Sequence, residues 1–278
     1  MTDTNPEGRE IIVVTGTAGE IGTMLRGALA RPGRLLRLVD VAPQQPARDG
    51  EDVEIITASV SDVEAMVRAS ADATAIVHLA SLLDGGTWEQ YVDVNINGTY
   101  GVLEAARRNG ISRVVYASSH HAVGFYHKTD TEAPDYMYPR PDSYYGVAKV
   151  ASEALGSLYH DRHGIDFIAI RIASYRLVPN DRRALSNWLS PDDTVRAIEA
   201  SLSTPAPGFR IIWGVSNNTR RWMSLDEAHA IGFDPKDDAE PYAQKVFDST
   251  SEADPGAQWD HILGAKFAAP DFDEAGRS

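Results

Sequence analysis

The chain has 278 residues, a hydrophobic fraction of 43% and a formal net charge of −14, with a sequence pI of about 4.9. That acidity argues against nucleic-acid partners, which need basic surfaces to neutralise phosphates, and fits either plain solubility or a saline habitat. With 0 cysteines, disulfides, thiolate nucleophiles and cysteine-held zinc are excluded.

Residues 1–10 are polar and lack the apolar centre of a secretory signal. No later apolar run approaches the roughly 20 residues of a membrane span, so a cytoplasmic protein with no membrane partner is expected. Ile11-Ile12-Val13-Val14 reads as a strand buried on both faces. It runs into Thr15-Gly16-Thr17-Ala18-Gly19-Glu20-Ile21-Gly22 and then a helical pattern through Met24, Leu25, Ala28 and Leu29. In this context Gly16 permits a tight turn, Gly19 lets the backbone approach a pyrophosphate, and Gly22 lets helix pack on strand. The helix N-terminus offers N–H groups to the phosphates. A second strand at 35–40 ends in Asp40. A carboxylate there suits the adenosine ribose hydroxyls and repels a 2′-phosphate, favouring NAD over NADP, although a strand-end turn residue has the same appearance.

A polar loop comes next at 43–51, then a strand at 53–56, a helix at 62–70 and a strand at 75–80. One long helix at 88–109 is expected to pack through Tyr91, Val94, Tyr100, Leu103 and Ala106. A fifth strand at 114–117 leads to Ser118-Ser119-His120-His121, and an irregular stretch with Pro134, Pro139 and Pro141 precedes a helix at 144–162. Residues four apart share a helix face, which sets the Tyr145 phenol beside the Lys149 ammonium. A nearby cation favours the ionised phenol and makes it useful as a base. A sixth strand at 165–172 precedes a functional loop at 174–187 carrying Arg182 and Arg183; a helix at 192–203, a strand at 210–215 and a short helix at 224–231 complete the pattern. Beyond Pro235 the chain is polar, with Trp259, Ile262, Leu263 and Phe267 as anchors. His78 is expected to be packed, and His127, His160 and His163 solvated; no spacing suggests a metal site.

Strands alternating with helices imply an α/β fold, a Rossmann-type doubly wound parallel sheet with a small C-terminal substrate-binding portion. Gly16–Gly22, Ala80-Ser81, Ser119 and the segment after Arg171 all fall at carboxyl ends of strands, where the ligand crevice of such a sheet lies. The expected division is a polar tail at 1–10, an NAD-binding domain at 11–175, and a region at 176–278 partly interleaved with it.

Gly16-x-x-Gly19-x-x-Gly22, Asp40, His78-Leu79-Ala80, Asn95, Ser119 and Tyr145-x-x-x-Lys149 occur in the order found in the extended short-chain dehydrogenases/reductases. The chain resembles that superfamily over about residues 11–235. Within it the chain is most similar to the bacterial uronate dehydrogenases, through Ala117-Ser118-Ser119-His120-His121 with Gly124-Phe125-Tyr126, Arg140-Pro141-Asp142, Arg171-Ile172-Ala173-Ser174, Arg183-Ala184-Leu185-Ser186-Asn187-Trp188 and the run from Gly232 to Glu240. The resemblance implies NAD-dependent oxidation of the C1 hydroxyl of a hexuronic acid, glucuronate or galacturonate, to the aldarolactone. Tyr145 would be the base, Lys149 would lower its pKa and hold the nicotinamide ribose, and Ser119 would bond to the reacting oxygen. It implies cofactor contacts at Gly16, Ala18, Gly19, Glu20, Ile21, Gly22, Asp40, Ser59, Val60, Leu79, Ala80, Ser81, Asn95, Tyr145, Lys149 and Ile172. Implied substrate contacts are Ser81, Leu83, Ser119, His120, His121, Tyr145, Ser174, Arg183 and Phe267, with Arg183 facing the carboxylate and Phe267 closing a neighbouring subunit's site. A dimer or larger homo-oligomer, paired through the helices near 88–109 and 144–162, is implied as well.

Some positions depart from the family pattern. His120 stands where asparagine is common, Leu83 where a serine is expected, and Ser59-Val60 where an acid meets the adenine. These departures keep another aldose open as substrate, such as a sugar phosphate, a sulfonate or a neutral sugar. A sugar-nucleotide epimerase or dehydratase uses the same residues but usually carries a longer C-terminal domain. A non-catalytic NAD sensor is the third reading; the presence of Ser119, Tyr145 and Lys149 together speaks against it.

Overall fold

The computed structural model describes residues 8–128, 132–250 and 261–273; residues 1–7 of the polar tail and the expected anchor Trp259 lie outside the described residues. In chain order the first half comprises β1 (Glu10–Thr15), α1 (Glu20–Ala28), β2 (Arg34–Asp40), β3 (Val53–Thr57), α2 (Val63–Ala69), β4 (Ala75–His78) and α3 (Trp88–Tyr91). A π-helical segment (Val92–Asn97) continues into α4 (Gly98–Asn109), succeeded by β5 (Arg113–Ser119), a 3-10 turn (His120–Val123) and α5 (Tyr144–His163). The remainder comprises β6 (Asp166–Ile172), β7 (Ser174–Tyr175), α6 (Ala184–Asn187), β8 (Trp188–Leu189), α7 (Pro191–Ser203), β9 (Phe209–Gly214), α8 (Asp226–Ala230), α9 (Ala243–Ser249) and a last 3-10 turn (Ala265–Ala268).

Seven strands form one sheet in the order β3-β2-β1-β4-β5-β6-β9, every neighbouring pair parallel. This is the doubly wound Rossmann-type α/β fold. The period of two in β1 divides the core: Ile12 and Val14 pack with Leu25 of α1 and Ile198 of α7, while Val13 packs on the other face with Leu103 of α4 and Phe167. Helices on both faces explain why β1 is a continuous apolar run. Strand order reverses between β1 and β4, where the diverging connections open a crevice at their carboxyl ends.

The stretch 88–109 is helical throughout but is not one α-helix. A π turn admits an extra residue and rotates the helical face beyond it, so Asn95, Thr99, Val102, Leu103 and Ala106 turn inward while Tyr100, expected in the core, is 44% exposed and Val94 is half-buried. Asn95 thereby reaches the Leu82 backbone, accepting its N–H at 2.7 Å and donating to its carbonyl at 2.9 Å. The expected functional loop at 174–187 contains β7 and α6, and β7 pairs with β8 in a separate two-stranded sheet. The polar region after Pro235 includes α9, whose Ala243 and Val246 pack on Leu185 and Trp188. His78 is packed, with Nδ1 2.7 Å from Thr15 Oγ1 and Nε2 3.3 Å from Thr99 Oγ1. His127 and His163 are exposed as expected, but His160 is half-buried, its Nδ1 donating to the Ile165 carbonyl that the left-handed Gly164 turns back towards it. Among the described residues no helix is long and apolar enough to cross a membrane.

Candidate active site

The glycine loop is shaped by contact. Gly16 has φ +76°, and a Cβ on it would lie 2.5 Å from the Ala80 nitrogen; a Cβ on Gly22 would strike the Gly16 carbonyl. No side chain caps the N-terminus of α1, so its first-turn N–H groups are left for an anion. Asp40 closes β2 and accepts the backbone N–H of Ala18 at 2.8 Å and of Ala42 at 2.9 Å. A carboxylate has about four lone-pair sites, so holding the loop leaves acceptor capacity for ribose hydroxyls.

Ser143 caps α5, its hydroxyl accepting the Gly146 N–H at 3.1 Å. One face of α5 then presents Tyr145, Lys149 and Glu153 to the ends of β5 and β6. Lys149 Nζ lies 5.2 Å from the Tyr145 ring centroid, 4.8 Å from that of Tyr116, and donates to the Ala117 carbonyl at 2.6 Å. Ser119 accepts the His121 N–H at 3.2 Å, and its hydroxyl lies near enough to the Tyr145 phenol to lower its pKa. Tyr144 points elsewhere and meets Trp88 edge-on at 5.4 Å.

Burial raises the Tyr145 phenol above its ordinary pKa, with the Ser119 hydroxyl opposing the rise. Burial also draws Lys149 down to about 7, against the pull of Glu153. The expected lowering of the phenol by its cationic neighbour is therefore not the dominant effect. A lysine that titrates near neutrality carries only part of a charge there, and desolvation of the phenol wins.

Tyr145 opens onto a cavity of about 660 Å³, within the usual range of small-molecule sites. Of the positions singled out in the sequence, Gly16, Gly19, Glu20, Ile21, Gly22, Leu79, Ser81, Leu83, Ser119, His120, His121, Tyr145, Lys149, Ile172, Ser174, Arg183 and Phe267 line it. Ala18, Asp40, Ser59, Val60, Ala80 and Asn95 do not. Ala18 is tied to Asp40, and Ser59 Oγ lies 3.0 Å from Ser61 Oγ. Val60 is buried against Gly98 and Gly101, Ala80 N–H bonds to Thr15 Oγ1 at 3.3 Å, and Asn95 acts on the backbone of Leu82. Phe267, expected at a neighbouring subunit's site, stacks in its own chain's cavity, 3.9 Å from His121 and 6.4 Å from Tyr145 by ring centroids. The segment carrying it runs beside residues 124–128, through Leu263 N–H to Tyr126 O at 2.8 Å and Gly264 N–H to Gly124 O at 2.8 Å.

Arg182, noted in the sequence only as part of the loop, and Arg176 and Lys266, which carried no local signal there, also line the cavity; with Lys149 and Arg183 they make five basic residues against the acidic Glu20 and Asp181. In a chain of net charge −14, that local excess suits an anionic ligand. Arg183 donates to the Leu263 carbonyl at 2.8 Å, which fixes the guanidinium at the cavity wall. His120 Nδ1 lies 3.0 Å from the Ile172 carbonyl, which can only accept; the proton is thus on Nδ1, and Nε2 is a buried acceptor with no partner. His121 Nδ1 lies 2.7 Å from Asp142 Oδ2. The glycine loop, the bare helix N-terminus and Asp40 together fit a dinucleotide with free ribose hydroxyls.

Residues 12–176 match the NAD dependent epimerase/dehydratase family. The chain belongs to this family. Among curated proteins it is similar to the uronate dehydrogenase of Pseudomonas syringae pv. tomato, 36% identical over 94% of this chain and 94% of that one. Among solved structures, uronate dehydrogenase from Agrobacterium tumefaciens matches with a TM-score of 0.89 and 35% identity over 96% of this chain and 99% of that chain. A mutant of that enzyme complexed with NAD matches with a TM-score of 0.89 and 34% identity, over 95% of this chain and 99% of that one.

The buried imidazoles lead to the expectation of an acid-sensitive fold. Burial lowers His78 to about 3, lowers His120 well below its ordinary value, and lowers His121 to about 3, where Arg183 and then Lys149 add to burial. Unfolding returns each to about 6.5, so between pH 6.5 and about 3 the unfolded chain binds more protons and stability falls as pH falls. Asp142, raised to about 6, and Asp135, also raised, both chiefly by burial, act oppositely, but Glu104, lowered to about 2 chiefly by its hydrogen bond from Arg107, acts with the three imidazoles. Urea midpoints measured from pH 7 to pH 4.5 are expected to fall steadily; a flat profile would reject the assignment of neutral buried imidazoles.

Proposed function

We propose that this chain is an NAD-dependent uronate dehydrogenase, oxidising the C1 hydroxyl of glucuronate or galacturonate to the aldarolactone. The observation that carries the reading is the meeting of Ser119, Tyr145 and Lys149 with Arg183 in one cavity beside the glycine loop. The similarity to uronate dehydrogenases over nearly the whole length supports it.

Gly16, Gly19, the N-terminus of α1 and Asp40 would hold the dinucleotide, with residues 11–175 as its domain and the region from 176 onward adding substrate contacts. When bound, NAD supplies the acceptor for the hydrogen and electron pair leaving C1. Tyr145, once its own proton has passed to Lys149 or to water, takes the hydroxyl proton as a phenolate, and Ser119 donates to the same oxygen and keeps it in line with the phenol. Lys149, held by the Ala117 carbonyl, is placed to hold a ribose hydroxyl and to accept the phenol's proton, its ammonium then stabilising the phenolate. Arg183 faces the carboxylate, where a planar guanidinium fixes orientation through paired hydrogen bonds.

Replacing Arg183 with methionine is expected to raise KM for glucuronate roughly 10- to 100-fold, the value of hydrogen bonds to a charged group, with little change for a neutral aldose. NADH formation against substrate concentration measures this, with a melting curve alongside because Arg183 also ties down Leu263. Equal losses for charged and neutral sugars would reject the carboxylate role. Turnover of some other aldose but of neither uronate would reject the substrate while leaving the chemistry.

The exposed Tyr100 of α4 and Val147 and Leu158 of α5 support a homo-oligomer paired through these helices, and NAD dependence supports a cytoplasmic location. A monomer in sedimentation velocity, or recovery outside the cytosolic fraction, would remove the respective statement.

A further inference from the structure

We infer that Asp142 is a positioning residue for the substrate pocket: it holds the His121 imidazole with its proton on Nδ1, so that Nε2 is offered as an acceptor to a hydroxyl of the sugar. The inference rests on the uronate reading for the identity of the ligand. Its structural half, the fixed tautomer, stands on geometry alone.

The carboxylate is placed by three segments. Its own strand of chain precedes α5; Oδ2 meets His121 Nδ1 at 2.7 Å, and Oδ1 accepts the Ser143 hydroxyl at 2.9 Å. The Ser143 oxygen accepts the Gly146 N–H, which leaves its proton directed at Asp142. Gly124 and Gly264 enclose Oδ2 from either side, and a Cβ on either would collide with it. The segment 261–264 and the end of the 3-10 turn are thus both shaped around one oxygen atom. The Asp142 side chain is 0% exposed.

Such burial is costly for a carboxylate unless it has a task or full compensation. An ionised carboxylate accepts only, so the imidazole nitrogen facing it must donate. The ring is also clamped, 3.9 Å from Phe267 and 5.6 Å edge-on from Tyr145 by centroids, and has no room to turn. Its proton is therefore on Nδ1, and Nε2 is the polar atom left for the cavity it lines. Arg183 and Lys149 oppose a second proton on the ring. Beside it, His120 has the same tautomer through a carbonyl instead. The His120 Nε2 is itself buried, so the His121 Nε2 is the imidazole acceptor open to a ligand's hydroxyl, and Asp142 sets it.

The test has a ligand-free arm and a kinetic arm. In the wild-type protein at about pH 8, where Asp142 is ionised, ¹⁵N NMR of the histidine rings is expected to show His121 protonated on Nδ1, with assignment by His121→Ala. A proton on Nε2 overturns the proposal. In the kinetic arm Asp142→Asn is expected to raise KM for glucuronate roughly 10- to 100-fold, with NAD affinity by calorimetry unchanged. In a His121→Ala background the same substitution is expected to change KM by less than about twofold, because its partner is already gone. An equal loss in both backgrounds overturns the proposal, since Asp142 would then act on packing and not through His121. A wild type that takes no uronate removes the reading beneath it, and the NMR arm then decides the role of Asp142 by itself.

Discussion

Tyr145→Phe is expected to lower kcat for uronate oxidation by about 10²–10⁴-fold, the usual contribution of a positioned acid or base. The melting temperature and NAD affinity should stay close to wild type. The phenylalanine ring keeps the edge contact with His121 and the packing on Phe267, so the only group removed is the hydroxyl beside Ser119. Single-turnover NADH formation, with NAD binding measured by calorimetry, separates lost chemistry from lost assembly. A variant that retains more than about a tenth of wild-type kcat would show that another group takes the C1 hydroxyl proton. If cofactor binding collapsed together with the rate, the phenol would instead be part of the nucleotide site.

Glu153→Ala is expected to destabilise the protein by about 3–5 kcal/mol, the range for an ion pair broken in the interior. Glu153 sits one turn beyond Lys149 on α5 and pairs bidentately with Arg171 of β6, at 2.9 Å through Nε and 2.8 Å through Nη2. It also accepts the Ser118 hydroxyl at 2.6 Å. The Arg171 side chain is 1% exposed and that of Glu153 6%, so removing the carboxylate strands a guanidinium with no route to water. Urea unfolding measures the loss, and a value under about 1 kcal/mol would mean that solvent reaches the pair. The double variant Glu153→Leu/Arg171→Met should recover much of the loss, because apolar residues of similar volume need no partner. Pinning α5 to β5 and β6 is what keeps Tyr145 and Lys149 in register with Ser119, so lost stability and lost activity should appear together in the single variant.

Much of this protein was legible because its signals are local. The run Ile11–Val14, the adjoining glycines and the start of α1 form one continuous stretch, and period-two burial and turn chemistry need no distant partner to be read. The spacing of Tyr145 and Lys149 belongs to the same class: a helix that begins at a serine cap brings them together wherever it lies. The long helix at 88–109 failed at one detail for a physical reason. Its π segment is stabilised by what Asn95 does for the Leu82 backbone, and no periodicity within the helix announces that. Asp40 is an intermediate case, visible as an acid at a strand end, while its grip on Ala18 and Ala42 became apparent only with the loop in place.

The amino-acid sequence by itself determined the doubly wound sheet, the nucleotide loop, and the pairing of a phenol with an ammonium on one helix. The tertiary structure alone decided the state of those groups. Burial among β5, β6 and α5 raises Tyr145 and lowers Lys149 to about 7, reversing what their adjacency suggests. It also turned Phe267 into its own chain's cavity and assembled five basic residues there from segments far apart in an acidic chain. The proton on His121 depends on Asp142, and Asp142 on the absence of a Cβ at Gly124 and Gly264. Desolvation and close approach are properties of surroundings, and the surroundings of a side chain exist only after distant segments have met.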